Sequence, residues 1–210
     1  MKILEVKTLA LPEVKTIIFE RFKDERGYFT ETYRAEDFKV LPELNFIKDF
    51  DFVQHNESFS QKNIIRGLHF QWNPPMGKLV RTVSGHMVDV FMDIRQGSPN
   101  FGKVIMHNMP SRPEGETGEW IWVPGGFAHG NFFLEPTVIQ YLCTDKHKPE
   151  SEAGISPLSP DLDFSLCDIE LKEIFEKVKL AAVISEKDKN TPVLGIWSKD
   201  SRAGNFVYGK

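Results

Sequence analysis

The sequence predicts a mainly β fold, a sandwich or jelly roll, with one short C-terminal helical segment. Three observations carry that reading: short aromatic or β-branched runs up to about residue 165, turn signals between them, and a change to helical spacing only after residue 167. The turns are marked by Arg26-Gly27, Gly85-His86, Gly97-Ser98-Pro99 and Pro124-Gly125-Gly126, and they recur close to the spacing of sandwich strands.

In chain order, residues 17–22 (IIFERF), 27–33 (GYFTETY), 78–85 (KLVRTVSG), 87–95 (MVDVFMDIR), 103–109 (KVIMHNM), 119–124 (EWIWVP) and 138–145 (VIQYLCTD) read as strands. Each is short, and Gly, Pro or Asn separates it from the next. Further on, Leu171, Ile174, Phe175 and Val178 fall at i, i+3, i+4 and i+7, the apolar stripe of a helix. Asp168 is its N-cap candidate, and Lys172, Lys177 and Lys179 supply polar positions. From about Asn190 the chain is polar and contains glycine, so it reads as a tail that docks on the sheet or frays. The expectation is one domain over 1–210, with a core of about 15–166 and a C-terminal helix and tail over about 168–210.

Composition narrows the function. The 210 residues are 40% hydrophobic, 27% charged and 12% aromatic, enough apolar material for a core and unlike a disordered chain. With 26 Lys+Arg against 30 Asp+Glu, the net charge is −4 and no basic block tracks a phosphate backbone, so nucleic acid is not an expected partner. The first fifteen residues are interrupted by Glu5, Lys7 and Glu13, and no apolar run reaches the ~18 residues of a membrane span, so a cytoplasmic protein without a membrane partner is expected. The two cysteines, Cys143 and Cys167, form no C-x-x-C pair, which argues against structural zinc or a disulfide framework. His55, His69, His86, His107, His129 and His147 include no H-x-H or H-E-x-x-H spacing, so no metal is expected.

The densest polar cluster runs through 54–81: Gln54, His55, Asn56 and Ser58, then Arg66-Gly67-Leu68-His69-Phe70-Gln71, then Gly77-Lys78-Leu79-Val80-Arg81. Strand alternation puts Arg66, Leu68 and Phe70 on one face and His69 and Gln71 on the other, unless a bulge re-aims one of them. A lone His is more often a packed core residue. A basic pair, an imidazole and amides among apolar strand residues point instead to an anionic, polyhydroxylated ligand in the mouth of a barrel. His129 follows a Pro-Gly-Gly turn in a second polar knot over 122–130, and Tyr141 lies in the strand after it. Asp89 and Asp93, four residues apart on one strand, share a face among apolar neighbours and require partners.

These segments together resemble the dTDP-4-dehydrorhamnose 3,5-epimerase family. The matching stretches are residues 22–31, 52–58, 66–71, 77–81, 93–102, 122–130, 141–145 and the run from Leu180 ending Ser185-Glu-Lys-Asp188. The resemblance implies a cupin-type jelly roll, a homodimer, and cofactor-free epimerisation of a dTDP-4-keto-6-deoxyhexose. By position His69 looks like the family's base, Tyr141 its acid and Lys78 the lysine that steadies the enolate. Arg26, Glu31, Gln54, Asn56, Arg66 and His129 match positions that contact nucleotide, diphosphate or sugar.

One departure follows from the same resemblance. An aspartate after the Glu-x-Gly-Ile motif is expected to orient the catalytic His, and here Ser159 stands at that aligned position after Glu152-Ala-Gly154-Ile155. An uncharged serine stabilises an imidazolium less than a carboxylate does. Asp161, Asp163 or Asp89 are the substitutes to consider. The alternatives to an epimerase are an impaired family member that only binds nucleotide sugars, a metal-dependent cupin and a β-sandwich interaction protein.

Overall fold

The computed structural model describes residues 1–209, and strands dominate it. In chain order they are β1 (Ile3–Thr8), β2 (Lys15–Glu20), β3 (Phe22–Asp24), β4 (Gly27–Phe29), β5 (Gln54–Ser60), β6 (Ile64–Gln71) and β7 (Lys78–Ser84). There follow β8 (His86–Asp93), β9 (Val104–Pro110), β10 (Thr117–Val123), β11 (Phe127–Phe133), β12 (Thr137–Cys143), β13 (Glu152–Gly154) and β14 (Val183–Ile184). One large sheet has the order β1-β2-β10-β7-β12-β5, a second has β13-β6-β11-β8-β9 with β14 added parallel to β6, and β3 and β4 form a separate two-stranded hairpin. The chain crosses between sheets at nearly every step from β5 to β13, as a jelly roll does. The fold is therefore the mainly β sandwich that the strand runs predict.

Alternation along the strands sorts the core into three apolar layers. Met87 and Phe91 on β8 meet Val80, Ile121 and Ile139 of the opposite sheet in the interior. Val88, Val90 and Met92, on the other face of β8, pack under Phe175, Val178, Trp197 and Phe206. Trp120, Trp122 and Leu79, on the outside of the first sheet, are covered by Phe38, Leu44 and Ile47 from the segment holding α1 (Asp37–Val40). β8 is buried on both faces, which explains why apolar residues occupy both alternating sets of positions from Met87 to Met92, with Asp89 among them.

The C-terminal portion docks. The helix α2 (Ile169–Lys179) starts where expected, with the Asp168 side chain accepting from the Glu170 and Leu171 N–H groups. After α3 (Glu186–Lys189) and α4 (Leu194–Trp197), the tail seats Trp197 and Phe206 against Phe70 at ring-centroid distances of 4.6 and 5.7 Å. Two strands lie outside the expected core of 15–166. β1 pairs with β2 along an edge, where its exposed Glu5 and Lys7 hide the strand pattern, and β14 is only two residues long. The expected strand over 27–33 stops at Phe29, because Thr30 turns to bond the Glu20 carbonyl and Tyr33 packs on Phe38 and Phe52.

The cap on α2 yields a direct expectation. Asp168→Ala removes the acceptor for two N–H groups and should lower the unfolding free energy by about 1 kcal/mol in urea titration. An unchanged midpoint would show that the cap contributes nothing.

Candidate active site

The site begins with an irregularity in β6. His69 pairs with His129 of β11, yet Arg66 pairs with Asn131, so three steps on β6 match two on β11. This bulge moves Arg66 off the face that strict alternation gives it and leaves the other expected facings in place. Leu68 and Phe70 face the outer layer, while Arg66 and His69 both reach the space between the sheets. The strands approach closely at the bulge: a Cβ on Gly67, whose φ is +108°, would lie 2.6 Å from the Gly130 Cα.

His69 Nε2 lies 2.6 Å from Asp188 Oδ1, and the other oxygen of that carboxylate accepts the Gly67 N–H at 3.1 Å. Asp188 sits in α3, where its own N–H donates to the Ser185 hydroxyl at 3.1 Å. Burial by itself would raise the Asp188 carboxyl. The bond from His69, its charge and the bonds from Gly67 and Ser185 outweigh burial and hold the group below the usual carboxylate range.

The carboxylate beside His69 is thus not at the position expected for it. Ser159 donates to Asp161 and accepts the Leu194 N–H at 3.3 Å, so it braces the loop under the C-terminal tail. None of the three suggested substitutes fills the role either. Asp161 takes the Ser159 and Gly195 bonds, Asp163 caps Ser165, and Asp89 belongs to His129. Asp188 lies 119 residues beyond His69 in sequence, and only the folded chain joins them. A signal for it was present: Ser185-x-x-Asp188 is an N-terminal capping pattern that fixes where the aspartate sits.

Two adjoining cavities share His69, Lys78 and Tyr141. The outer one, about 320 Å3, also includes Gln54, Asn56 and Glu152, and the inner one, about 150 Å3, includes Ser58, Arg66 and His129. A third recess of about 410 Å3 lies beside Arg66, His69, Lys187 and Asp188. His69 comes from the second sheet and Tyr141 from the first, so the two rings reach common space from opposite walls. Desolvation pushes the Lys78 ammonium below the ordinary lysine value, and the charges of Cys143, Glu152 and Asp89 oppose this only in part. Burial pushes the Tyr141 phenol up, with Arg66 and Asn56 acting against it, so the hydroxyl keeps its proton at neutral pH.

The remaining expected residues divide. Gln54 and Asn56 are joined by a 3.0 Å bond on the cavity wall. Arg66 is steered by Ser60 at 2.8 Å and the Phe59 carbonyl at 3.2 Å. His129 is buried, 2.7 Å from Asp89 and stacked on Phe91. Arg26 and Glu31 are not brought to this site in their own chain. Arg26 is 85% exposed on the β3–β4 hairpin and pairs with Asp24, while Glu31 binds the N-terminal ammonium and Arg34. Cys143, His147 and Glu152 line the outer cavity without having been singled out for it. Asp93, the other buried carboxylate of β8, is taken by Arg95 and Ser98. Among the described residues no group of three or more His, Cys, Asp or Glu is placed to hold a metal ion.

Residues 8–195 match the family model described as dTDP-4-dehydrorhamnose 3,5-epimerase. An enzyme of that name from Sinorhizobium fredii is 37% identical over 191 residues, covering 90% of this chain and 88% of that protein. Another from Neisseria gonorrhoeae is 41% identical over 150 residues, covering 71% of this chain and 43% of that protein. Among solved structures, a Legionella pneumophila dTDP-6-deoxy-D-glucose-3,5-epimerase in complex with dTDP-4-keto-L-rhamnose superposes with a TM-score of 0.77 at 34% identity. That match covers 95% of this chain and 96% of that one.

The desolvated lysine gives a stability test. Its penalty is fully present below the depressed folded-state value and fades as pH rises toward the unfolded lysine value of about 10.4. Lys78→Met should therefore raise the unfolding free energy at pH 7 by about 1 kcal/mol or more, and the gain should shrink in alkaline buffer. A less stable variant at pH 7 would contradict the account of this lysine.

Proposed function

The chain belongs to the dTDP-4-dehydrorhamnose 3,5-epimerase family, and on that premise we propose that it epimerises a dTDP-4-keto-6-deoxyhexose through an enolate, without a cofactor. The observation that carries the reading is the shared cavity in which His69, paired with Asp188, faces Tyr141 and Lys78 from the opposite sheet.

A C4 ketone acidifies the hydrogens on C3 and C5. In this reading His69 removes one of them, Asp188 stabilises the resulting imidazolium, and Lys78 donates to the oxygen that becomes the enolate. Tyr141, protonated in its buried setting, returns a proton to the opposite face of the ring. The oxidation level of the sugar does not change, so a base, an enolate donor and an acid complete the reaction. The Asp188 carboxylate also removes the reason to regard the chain as an impaired binder, which was the serine at position 159.

Gln54, Asn56, Arg66 and His129 are assigned to the nucleotide sugar from their places on the cavity walls. Arg26 and Glu31 are assigned to the same ligand in a second copy of the chain. The hairpin that carries Arg26 exposes Phe22, Tyr28 and Phe29, an apolar surface suited to a homodimer in which it covers the neighbouring cavity. Glu31 follows that hairpin directly. Among the described residues no helix is long and apolar enough to cross a membrane, and a cytoplasmic enzyme is the accompanying reading.

Incubation with dTDP-4-keto-6-deoxyglucose in deuterated water should place deuterium at C3 and C5, whereas folded protein that places none would overturn the proposal. Exchange at C3 alone would mark a 3-epimerase. Asp188→Asn should slow exchange by roughly 10²- to 10⁴-fold while leaving ligand binding nearly intact. For the dimer, Arg26→Ala should raise KM with little change in kcat, and a monomer in sedimentation would contradict the shared site.

A further inference from the structure

Two polar atoms beside the inner cavity play no part in the chemistry above. Asp89 and Asn131 are directly opposite in the β8–β11 register. Both side chains point inward, because Asn131 shares its strand face with Phe127 and Phe133 of the interior, while Phe132 belongs to the outer layer. Asp89 Oδ1 is taken by His129 Nε2 at 2.7 Å. Asp89 Oδ2 and Asn131 Oδ1 are buried with no donor.

Opposite side chains on an antiparallel pair have Cβ atoms about 4.5–5.5 Å apart, within reach of a carboxylate-to-amide bond. As oriented, two acceptors lie in one neighbourhood with no hydrogen between them. A half-turn of the amide about its last torsion exchanges its oxygen and nitrogen, which have nearly the same shape. Nδ2 then donates to Asp89 Oδ2, and both buried positions are satisfied. The carbonyl oxygen moves to the other amide position, which opens on the cavity rather than lying buried and unpartnered. The Arg66 guanidinium, the Lys78 ammonium and the Tyr141 hydroxyl on the same cavity are donors, and a sugar hydroxyl needs an acceptor for its own hydrogen.

We propose that Asn131 is a specificity-determining residue: its N–H holds Asp89, and its carbonyl oxygen accepts a hydrogen bond from a ring hydroxyl of the hexose in the inner cavity. The proposal rests on the epimerase reading, since it takes that hexose as the occupant. It adds that the substrate must carry a hydroxyl, not a deoxy carbon, where it meets β11.

The test uses three unreactive ligands, dTDP-6-deoxy-D-glucose and its 2-deoxy and 3-deoxy analogues, titrated calorimetrically into the full chain. Wild-type protein should bind the parent about tenfold or more tightly than one of the two analogues, and Asn131→Leu should bring that ratio close to one. Equal affinity of the wild type for all three ligands overturns the proposal, as does a preference that persists in Asn131→Leu. Asn131→Ala carries the comparison if the leucine variant does not fold, and the wild-type series decides the first outcome without any variant. Failure of the wild type to bind even the parent sugar would remove the epimerase reading and this one with it, whereas equal binding removes only the role of Asn131.

Discussion

The site depends on the hydrogen bond between His69 and Asp188. With Nε2 directed at a carboxylate, the imidazole hydrogen belongs on Nε2, and Nδ1 becomes the nitrogen with a free lone pair. Asp188 remains charged because the His69, Gly67 and Ser185 bonds outweigh its burial. A charged carboxylate both fixes the ring and favours the imidazolium formed when the ring takes a proton.

Such a bond requires that two distant parts of the chain be held to a fraction of an ångström. On one side, β6 is fixed between β13 and β11, with His69 on its inward face and the bulge bringing Arg66 to the same side. On the other, β14 pairs with β6 immediately before Ser185 caps α3, so Asp188 arrives from a strand already bound to its target. Trp197 and Phe206, buried against Phe70, close the outer layer beyond it. Anchoring the tail and placing the carboxylate beside His69 are therefore one structural task, and removing the tail would leave β6 without its outer cover.

Much of this was legible in the sequence. The strand runs, the turn residues and the Asp168 cap follow from local rules, and the structure has a strand within each predicted run and a helix where one was expected. The polar cluster around His69 was also visible, since Arg66, His69, Lys78 and Tyr141 stand out against apolar neighbours. The facing of Arg66 was not legible, because a bulge is a property of two strands in register and strict alternation predicts the wrong side. Asp188 was missed for a related reason: a bond spanning 119 residues leaves no local periodicity, and the nearer Ser159 drew the assignment. Arg26 and Glu31 fall outside the cavities of their own chain, which a single sequence has no means of expressing.

Which nitrogen of the His69 ring carries the hydrogen is open to direct measurement. In protein labelled with 15N-histidine, the neutral form of the His69 ring should carry its hydrogen on Nε2 and show a nitrogen-15 shift at Nδ1 typical of a bare lone pair. Asp188→Asn should disturb that pattern. A hydrogen on Nδ1, or a spectrum identical in the asparagine variant, would contradict it.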